Sequence, residues 1–421
     1  VRCERMRMAA GGAETLAAEL RALVAGPASV SAAVGEIVEA VRAEGDAAVR
    51  RLSARFDTGG AAPPALRVQP AELQAAAERL PPEVRRGLEA AFENVHAVAR
   101  AGLAPAGRRV ARPGAEITLR EEPVTRAAVY VPGGRAPYPS TVVMGVAAAR
   151  AAGVAEVVVC SPPRRGDIDP LVLGACSLSG ATEVYRMGGA QAVAALALGT
   201  ETVPRVEVIV GPGSLYVQEA KRQLSDRVGI DSFAGPSDLM VLAEALPAGA
   251  EPVALDLLAQ AEHGAGTLVV AASSSEGVLD ALQARLDGAP DGEAVLRLVH
   301  APGAEEAVAL AQAFAPEHLQ LIGEAVEALA PRITRAGCLF VGHSAATAFG
   351  DYIAGSNHVL PTNGAARFAS ALSAATFRRR FSEVRVTDPT LLARAAAPLA
   401  RAEGFEIHAR SMESRIRQNR P

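Results

Sequence analysis

Apolar residues recur at three- and four-residue spacing, with Arg and Glu between them, in Glu14-Thr15-Leu16-Ala17-Ala18-Glu19-Leu20 and again from Ala32 to Phe56. That period predicts amphipathic helices over residues 14 to 100. Phe56-Asp57-Thr58-Gly59-Gly60 interrupts it, Ala61 to Pro64 reads as a turn or linker, and a second helical block covers Pro70 to Gly102. From about residue 126 the texture changes to short apolar runs bounded by Gly and Pro and separated by Ala-rich helical stretches. The runs are Ala127 to Val131, Val157 to Cys160, Val206 to Val210, Leu239 to Leu242, Leu268 to Val270 and Cys338 to Val341. Strands of this length alternating with helices predict βα units, parallel sheets and a repeated α/β architecture. Tight Gly turns follow these strands at their carboxyl ends, where open α/β sheets bind ligands. From about residue 373 the pattern returns to charged helix, starting with Thr376-Phe377-Arg378-Arg379-Arg380. This tail is too short for a core of its own and is expected to pack elsewhere, for example on a second subunit.

Composition narrows the picture. The chain has 421 residues, half of them apolar, enough for roughly two or three core-forming units. With 42 basic and 46 acidic side chains the net charge is −4, which argues against a dedicated nucleic-acid binder. Lys221 is the only lysine, so a battery of catalytic lysines is excluded. Cys3, Cys160, Cys176 and Cys338 lie far apart with no Cys-x-x-Cys pair, which disfavours a disulfide framework or a Cys-ligated zinc ribbon and fits a reducing compartment. Val1 to Arg7 is charged and lacks the apolar run of a signal peptide. No uncharged stretch reaches the ~18 apolar residues of a membrane span. A soluble cytoplasmic protein is expected.

Several segments carry candidate chemistry. Gly-x-Gly-x-x-Gly and P-loop patterns are absent, and Gly133-Gly134 and Gly211-Pro212-Gly213 are the nearest pieces through which backbone could approach a dinucleotide. Gln260 and His263 stand three apart, so on a helix they share a face and could bind a divalent metal. The same spacing fits an exposed helix end, with a histidine near the C-terminal dipole and Gly264 as the stop. Glu317-His318 follows a helix expected to end near Phe314, with Pro316 placed to open a new one. The pair suits proton transfer, and equally an ordinary surface contact. Gly350 to Thr362 reads as a long polar loop dense in potential ligands, and Glu403 and His408 stand near the C-terminus. His96, His300 and His343 read as solvated or packing residues.

Taken together, these segments resemble the histidinol dehydrogenase family over nearly the whole chain. The resemblance is carried by Tyr130-Val131-Pro132-Gly133-Gly134, Gly188-Gly189-Ala190-Gln191-Ala192, Gly211 to Lys221, Val228 to Asp231 and Ala234 to Ser237. It continues in Gln260 to His263, Pro316 to Leu319, the Gly350 to Thr362 stretch and the Glu403/His408 tail. Members of that family oxidise L-histidinol through L-histidinal to L-histidine, the last step of histidine biosynthesis, with NAD as oxidant and a zinc ion in each site. The resemblance implies Gln260, His263, Asp351 and His408 as metal ligands, His318 as general base and Glu317 as activator of water on the aldehyde. It implies Ser237, His358 and Glu403, together with Gln260, His263, His318, Asp351 and His408, around the substrate, and Tyr130, Gln191 and Ser214 as NAD contacts.

The implied fold is α/β: two Rossmann-like parallel-sheet domains with small helical N- and C-terminal segments, in an intertwined homodimer. The implied boundaries are an N-terminal helical arm at 1–26, a first α/β domain at 27–129 plus 239–372 carrying the metal and catalytic residues, an NAD-binding domain at 130–238, and a C-terminal helical segment at 373–421 completing the partner subunit's site. Two positions depart from the family, which usually has Asn at Ser214 and Glu at Asp238. Serine keeps hydrogen-bonding capacity with shorter reach, so weaker NAD binding is expected. The rival readings are a paralogue oxidising another amino-alcohol or a sulfonated diol, and a non-catalytic zinc- or nucleotide-binding protein. Glu403, Ser237 and His358 favour histidinol over a sulfonate, because a carboxylate suits a cationic amine. Glu317 and His318 argue against a non-catalytic protein.

Overall fold

A computed structural model of the chain describes residues 3–24, 29–105, 107–133, 136–163, 166–232, 237–289 and 292–416. Gly134 and Ala234-Gly235-Pro236, singled out above, lie outside the described residues. The chain divides into one unit of Val1–Gly102 with Thr125–Thr376 and a second of Leu103–Val124 with Phe377–Pro421.

The first unit contains two parallel sheets. The six-stranded one takes β1 (Cys3–Arg7) from the N-terminus and then β9 (Asp238–Ala243), β10 (Leu268–Ser273), β11 (Val295–His300), β12 (His318–Ile322) and β13 (Cys338–Val341), in the order β1-β11-β10-β9-β12-β13. The five-stranded one is built from β4 (Arg126–Tyr130), β5 (Glu156–Ser161), β6 (Glu183–Arg186), β7 (Val208–Val210) and β8 (Gly229–Ile230), in the order β6-β5-β4-β7-β8. Setting β1 aside, both sheets place their strands third, second, first, fourth, fifth. Each therefore has a switch point, between β4 and β7 in one and between β9 and β12 in the other. Strands β4, β5, β9 and β10 are buried almost throughout, because helices cover both faces, and so they read as continuous apolar runs.

The N-terminal residues open with a strand that pairs with β11, ahead of helix Ala13–Ala22, where an all-helical arm is expected from sequence. Helices Ser31–Glu44 and Asp46–Phe56 share their core with β4 to β7: Val34, Val38, Val41 and Val49 pack with Ala128, Val158 and Ile209. Pro70–Glu78 lies on Pro170–Ser179, and Pro82–Ala101 on Pro139–Ala152. Residues 31–101 thus cover the five-stranded sheet, whereas the sequence grouping at 27–129 joins them to the other. Helical periodicity reports that a face is buried, not which sheet buries it. Among the described residues, no helix is long and apolar enough to cross a membrane.

The second unit is an antiparallel sheet with two helices. β2 (Arg108–Arg112) and β14 (Arg378–Val386) flank β3 (Ala115–Pro123), and helices Pro389–Ala402 and Glu406–Glu413 follow. This corrects the expectation of charged helix from Thr376: Arg378 to Val386 is a strand, paired with β3 along its whole length. Both of its faces are largely exposed within the chain, so the apolar-polar alternation that marks a half-buried strand is missing.

Candidate active site

The chemistry gathers at the amino ends of β9 and β12. These strands are parallel neighbours, with His318 in register with Leu239, so Ser237, Asp238, Glu317 and His318 come together although about eighty residues separate them in sequence. Helix Ala304–Phe314 ends with Ala315 in the left-handed region (φ 52°), and the chain then runs through Pro316 directly into β12. Pro316 therefore leads into a strand, not the new helix expected from sequence. Gly337 allows the next strand to come close: a Cβ there would lie 2.6 Å from the Glu317 carbonyl oxygen.

Glu317 and Asp238 lock each other. The Glu317 carboxylate accepts hydrogen bonds from the Asp238 amide (3.0 Å) and the Ser237 hydroxyl, while the Glu317 amide donates to Asp238 Oδ1 (2.7 Å). The other Asp238 oxygen takes Arg21 Nη1 (2.6 Å) and the Asn363 amide (3.3 Å). Arg21 also donates to the Phe314 carbonyl (2.9 Å) and lies over the Phe314 ring, 3.6 Å from its centroid. Gln260 Nε2 donates to Ser237 Oγ (2.5 Å), which leaves the amide oxygen to face another ligand.

His318 is buried with Nε2 3.3 Å from Asp351 Oδ1 and its ring against Phe340. Its Nδ1, 3.8 Å from Glu317 Oε2, has no hydrogen-bond partner among the described residues. Asp351 sits on the short helix Thr347–Tyr352, so the Gly350 to Thr362 stretch is not wholly a loop as expected. His358 Nδ1 lies 2.9 Å from the Asp351 carbonyl, which can only accept; Nδ1 therefore carries the proton, and Nε2 accepts from Thr141 Oγ1 at 3.2 Å. Thr141 stands at the start of the helix that follows β4, so this contact joins the carboxyl side of one sheet to the amino ends of the other.

Burial pushes the Glu317 carboxyl up, partly offset by the neighbouring imidazole. Burial alone would lower His318, but the Asp351 hydrogen bond and the Glu317 charge outweigh it and hold the ring above the ordinary histidine range. For Asp351 burial is likewise overridden, by the His318 hydrogen bond and by the charges of His318, His358 and His263, and its pKa falls.

These surroundings fit a metal with nitrogen and oxygen ligands. His263 lies one residue past the C-cap of helix Glu251–Ala261, with Nδ1 3.1 Å from the Gln260 carbonyl. That contact fixes the proton on Nδ1 and leaves the Nε2 lone pair available, the arrangement usual for a metal-bound imidazole. With the Asp351 carboxylate and the Gln260 amide oxygen, the donors suit zinc. Among the described residues there is no cluster of three His, Cys, Asp or Glu arranged to hold an ion; the donors named here include a glutamine. Glu403 and His408 belong to the second unit, both exposed, Glu403 at the end of helix Pro389–Ala402 and His408 edge-on to Phe405.

The candidate cofactor residues lie at the carboxyl ends of the five-stranded sheet. Tyr130, the last residue of β4, accepts a hydrogen bond from the Gly189 amide on its hydroxyl (3.0 Å). Gln191 is buried, with Nε2 3.3 Å from Asp57 Oδ2. Ser214 is the exposed N-cap residue of helix Leu215–Gln223, and its hydroxyl makes no capping bond. A cavity of about 710 Å³, lined by Pro132, Gly133, Ser161, Pro162, Asp167 and neighbouring residues, opens at the ends of β4 and β5. The three remaining histidines are peripheral to this chemistry: His96 stacks on Phe92, His300 lies beside Arg7 and Glu276, and His343 is exposed.

Spacing alone did not reveal the supports of this site. Arg21, Asn363, Thr141 and Asp57 carry no local signal of a role.

The family model described as histidinol dehydrogenase matches residues 24–416. A histidinol dehydrogenase of Parasynechococcus marenigrum is 44% identical, covering 92% of this chain and 91% of that protein. One from Cereibacter sphaeroides is also 44% identical, covering 92% of each chain. The crystal structure of histidinol dehydrogenase from Elizabethkingia anophelis superposes with a TM-score of 0.90 at 29% identity, covering 98% of this chain and 97% of that one.

Proposed function

The chain belongs to the histidinol dehydrogenase family, oxidoreductases of histidine biosynthesis, and from that premise we propose that it oxidises L-histidinol through L-histidinal to L-histidine with NAD, in the cytoplasm, as a zinc-containing homodimer. The observation that carries the site assignment is the buried Glu317–His318 pair, flanked by Ser237, Gln260, Asp351 and His358 at the amino ends of β9 and β12.

His318 accepts the alcohol proton as hydride leaves the carbinol carbon, its ring held by Asp351 on one side and beside Glu317 on the other. Glu317, held by Ser237 and the Asp238 amide, takes a proton from the water that adds to the aldehyde. His318 then serves again as the hydrate loses hydride and the carboxylate forms. Two proton transfers at different stages need differently placed groups, and adjacent residues at a strand start supply them. Gln260, His263 and Asp351, with His408 of a second copy, would hold zinc, whose contribution is to orient the substrate's imidazole and amino groups. Ser237 and His358, with Glu403 of that copy, complete the substrate contacts. Tyr130, Gln191 and Ser214 would hold NAD, which would supply the hydride acceptor.

The decisive assay follows NADH absorbance with histidinol and with a sulfonated diol, each with and without a chelator. NADH from histidinol alone, lost on chelation and restored by zinc, is the expected result. No NADH from histidinol would overturn the reading, and NADH from the diol alone would point to the paralogue.

Ser214 gives a further expectation. Ser214→Asn restores the longer side chain usual in the family, and one added hydrogen bond of about 1 kcal/mol lowers the KM for NAD about fivefold. An unchanged KM would show that residue 214 does not reach the cofactor.

A further inference from the structure

The lone lysine of the chain is buried. Lys221 is fully inaccessible, on the helix that begins after Ser214, and its Nζ donates to the Gly211 carbonyl (2.5 Å) and to Asp231 Oδ1 (2.8 Å). Asp231, just past β8, accepts the Gly211 amide on its other oxygen (2.7 Å) and the Ser232 amide on Oδ1 (2.8 Å). The salt-bridged pair therefore grips Gly211 at both its amide and its carbonyl. Gly211 follows β7 at the switch point, has φ 113°, and packs so closely on β4 that a Cβ would run into the Tyr130 carbonyl oxygen. One pair thus ties together the end of β4, the turn from β7 to Ser214 and the end of β8.

We propose that Lys221 and Asp231 are positioning residues for the dinucleotide: they fix the Gly211 backbone and so set Tyr130 and Ser214 at the spacing that NAD requires. This rests on the reading above that Tyr130 and Ser214 face NAD. A buried ion pair is a poor device for stability, since an apolar pair of similar volume often folds as well or better. An apolar pair cannot hydrogen-bond a backbone amide and carbonyl, however. The pair's distinctive service here is directional, and it acts on a turn between two candidate cofactor residues. The zinc and proton-transfer residues lie at the other sheet and are not touched by it.

Lys221→Met and the double variant Lys221→Met/Asp231→Leu separate positioning from stability. Melting temperature, NADH affinity by fluorescence titration, and KM for NAD and for histidinol are measured on each. The single variant, which strands a buried carboxylate, melts lower and binds NADH about tenfold more weakly or worse. The double variant recovers the melting temperature while NADH affinity and KM for NAD stay impaired, with KM for histidinol and kcat at saturating NAD within about twofold of wild type. Recovery of NADH affinity together with stability would overturn the proposal, as would a folded single variant that binds NADH normally. Failure of the underlying reading has a different signature: Tyr130→Phe and Ser214→Asn variants that both bind NADH as the wild type does.

Discussion

Replacing His318 by alanine is expected to lower kcat by about 10²- to 10⁴-fold, the usual contribution of a positioned general base, while leaving the bound metal in place. The metal prediction follows from geometry. Of the proposed metal donors His318 is hydrogen-bonded to Asp351, through Nε2, and its second nitrogen lies 3.8 Å from Glu317 Oε2. Metal content by atomic absorption and NADH formation under saturating histidinol and NAD check both halves. Zinc lost along with activity would make His318 a ligand and remove the base from the mechanism. The pH profile adds an independent readout. A base works only when deprotonated, and His318 is held above the ordinary histidine range by Asp351 and Glu317 despite its burial. In the wild type kcat/KM should therefore climb with rising pH beyond neutrality, and in the alanine variant that limb should disappear. A variant that kept the same alkaline rise would place the titrating base elsewhere.

Strands covered on both faces were legible because burial leaves uninterrupted apolar runs: Ala127 to Tyr130, Val157 to Cys160 and Leu239 to Leu242 are strands in the structure. β12 was concealed by its own polar residues. It starts at His318 and carries Gln320, a fully buried amide that donates to Asp256 (2.8 Å) inside the protein, so polar residues interrupt the signature of a buried strand. β14 failed for the opposite reason. Arg379, Arg380, Ser382 and Arg385 are exposed, as are Phe381, Val384 and Val386, and no alternation distinguishes its faces. The candidate site was legible as residue types but not as an arrangement. Nothing in local spacing shows that Ser237 and Glu317 share a hydrogen bond, because that proximity is created by the β9–β12 pairing. Tyr130 and Ser214 stand at carboxyl ends, where the Gly turns after strands lead one to expect ligands. The proposed proton-transfer groups Glu317 and His318 instead occupy amino ends, which a rule about Gly turns after strands does not reach.

Asp238→Asn is expected to destabilise the fold by about 2–4 kcal/mol and to depress kcat with it. Asp238 is 1% exposed and accepts three donors: Arg21 on one oxygen with the Asn363 amide, and the Glu317 amide on the other. Asparagine keeps the shape, but either amide orientation turns an NH2 group towards a donor, and the Arg21 guanidinium loses its counter-charge. Arg21 itself retains 20% exposure, so water softens the loss and the lower part of the range for a broken buried pair applies. The change reaches the chemistry because the Glu317 amide rests on Asp238 Oδ1 while the Glu317 carboxylate rests on the Asp238 amide; loosening one lets the other drift from Ser237. Urea unfolding gives the stability term, and NADH formation gives the catalytic one. Arg21→Met in the Asp238→Asn background removes the stranded guanidinium, so stability should largely return. The activity should return only in part, because the asparagine oxygen then holds the Glu317 amide without a carboxylate's charge and its NH2 faces the Asn363 amide. Asp238→Asn protein with wild-type stability would mean that the Arg21–Asp238 pair does not hold the start of β9. Full activity in the double variant would mean that the Asp238 carboxylate does not position Glu317.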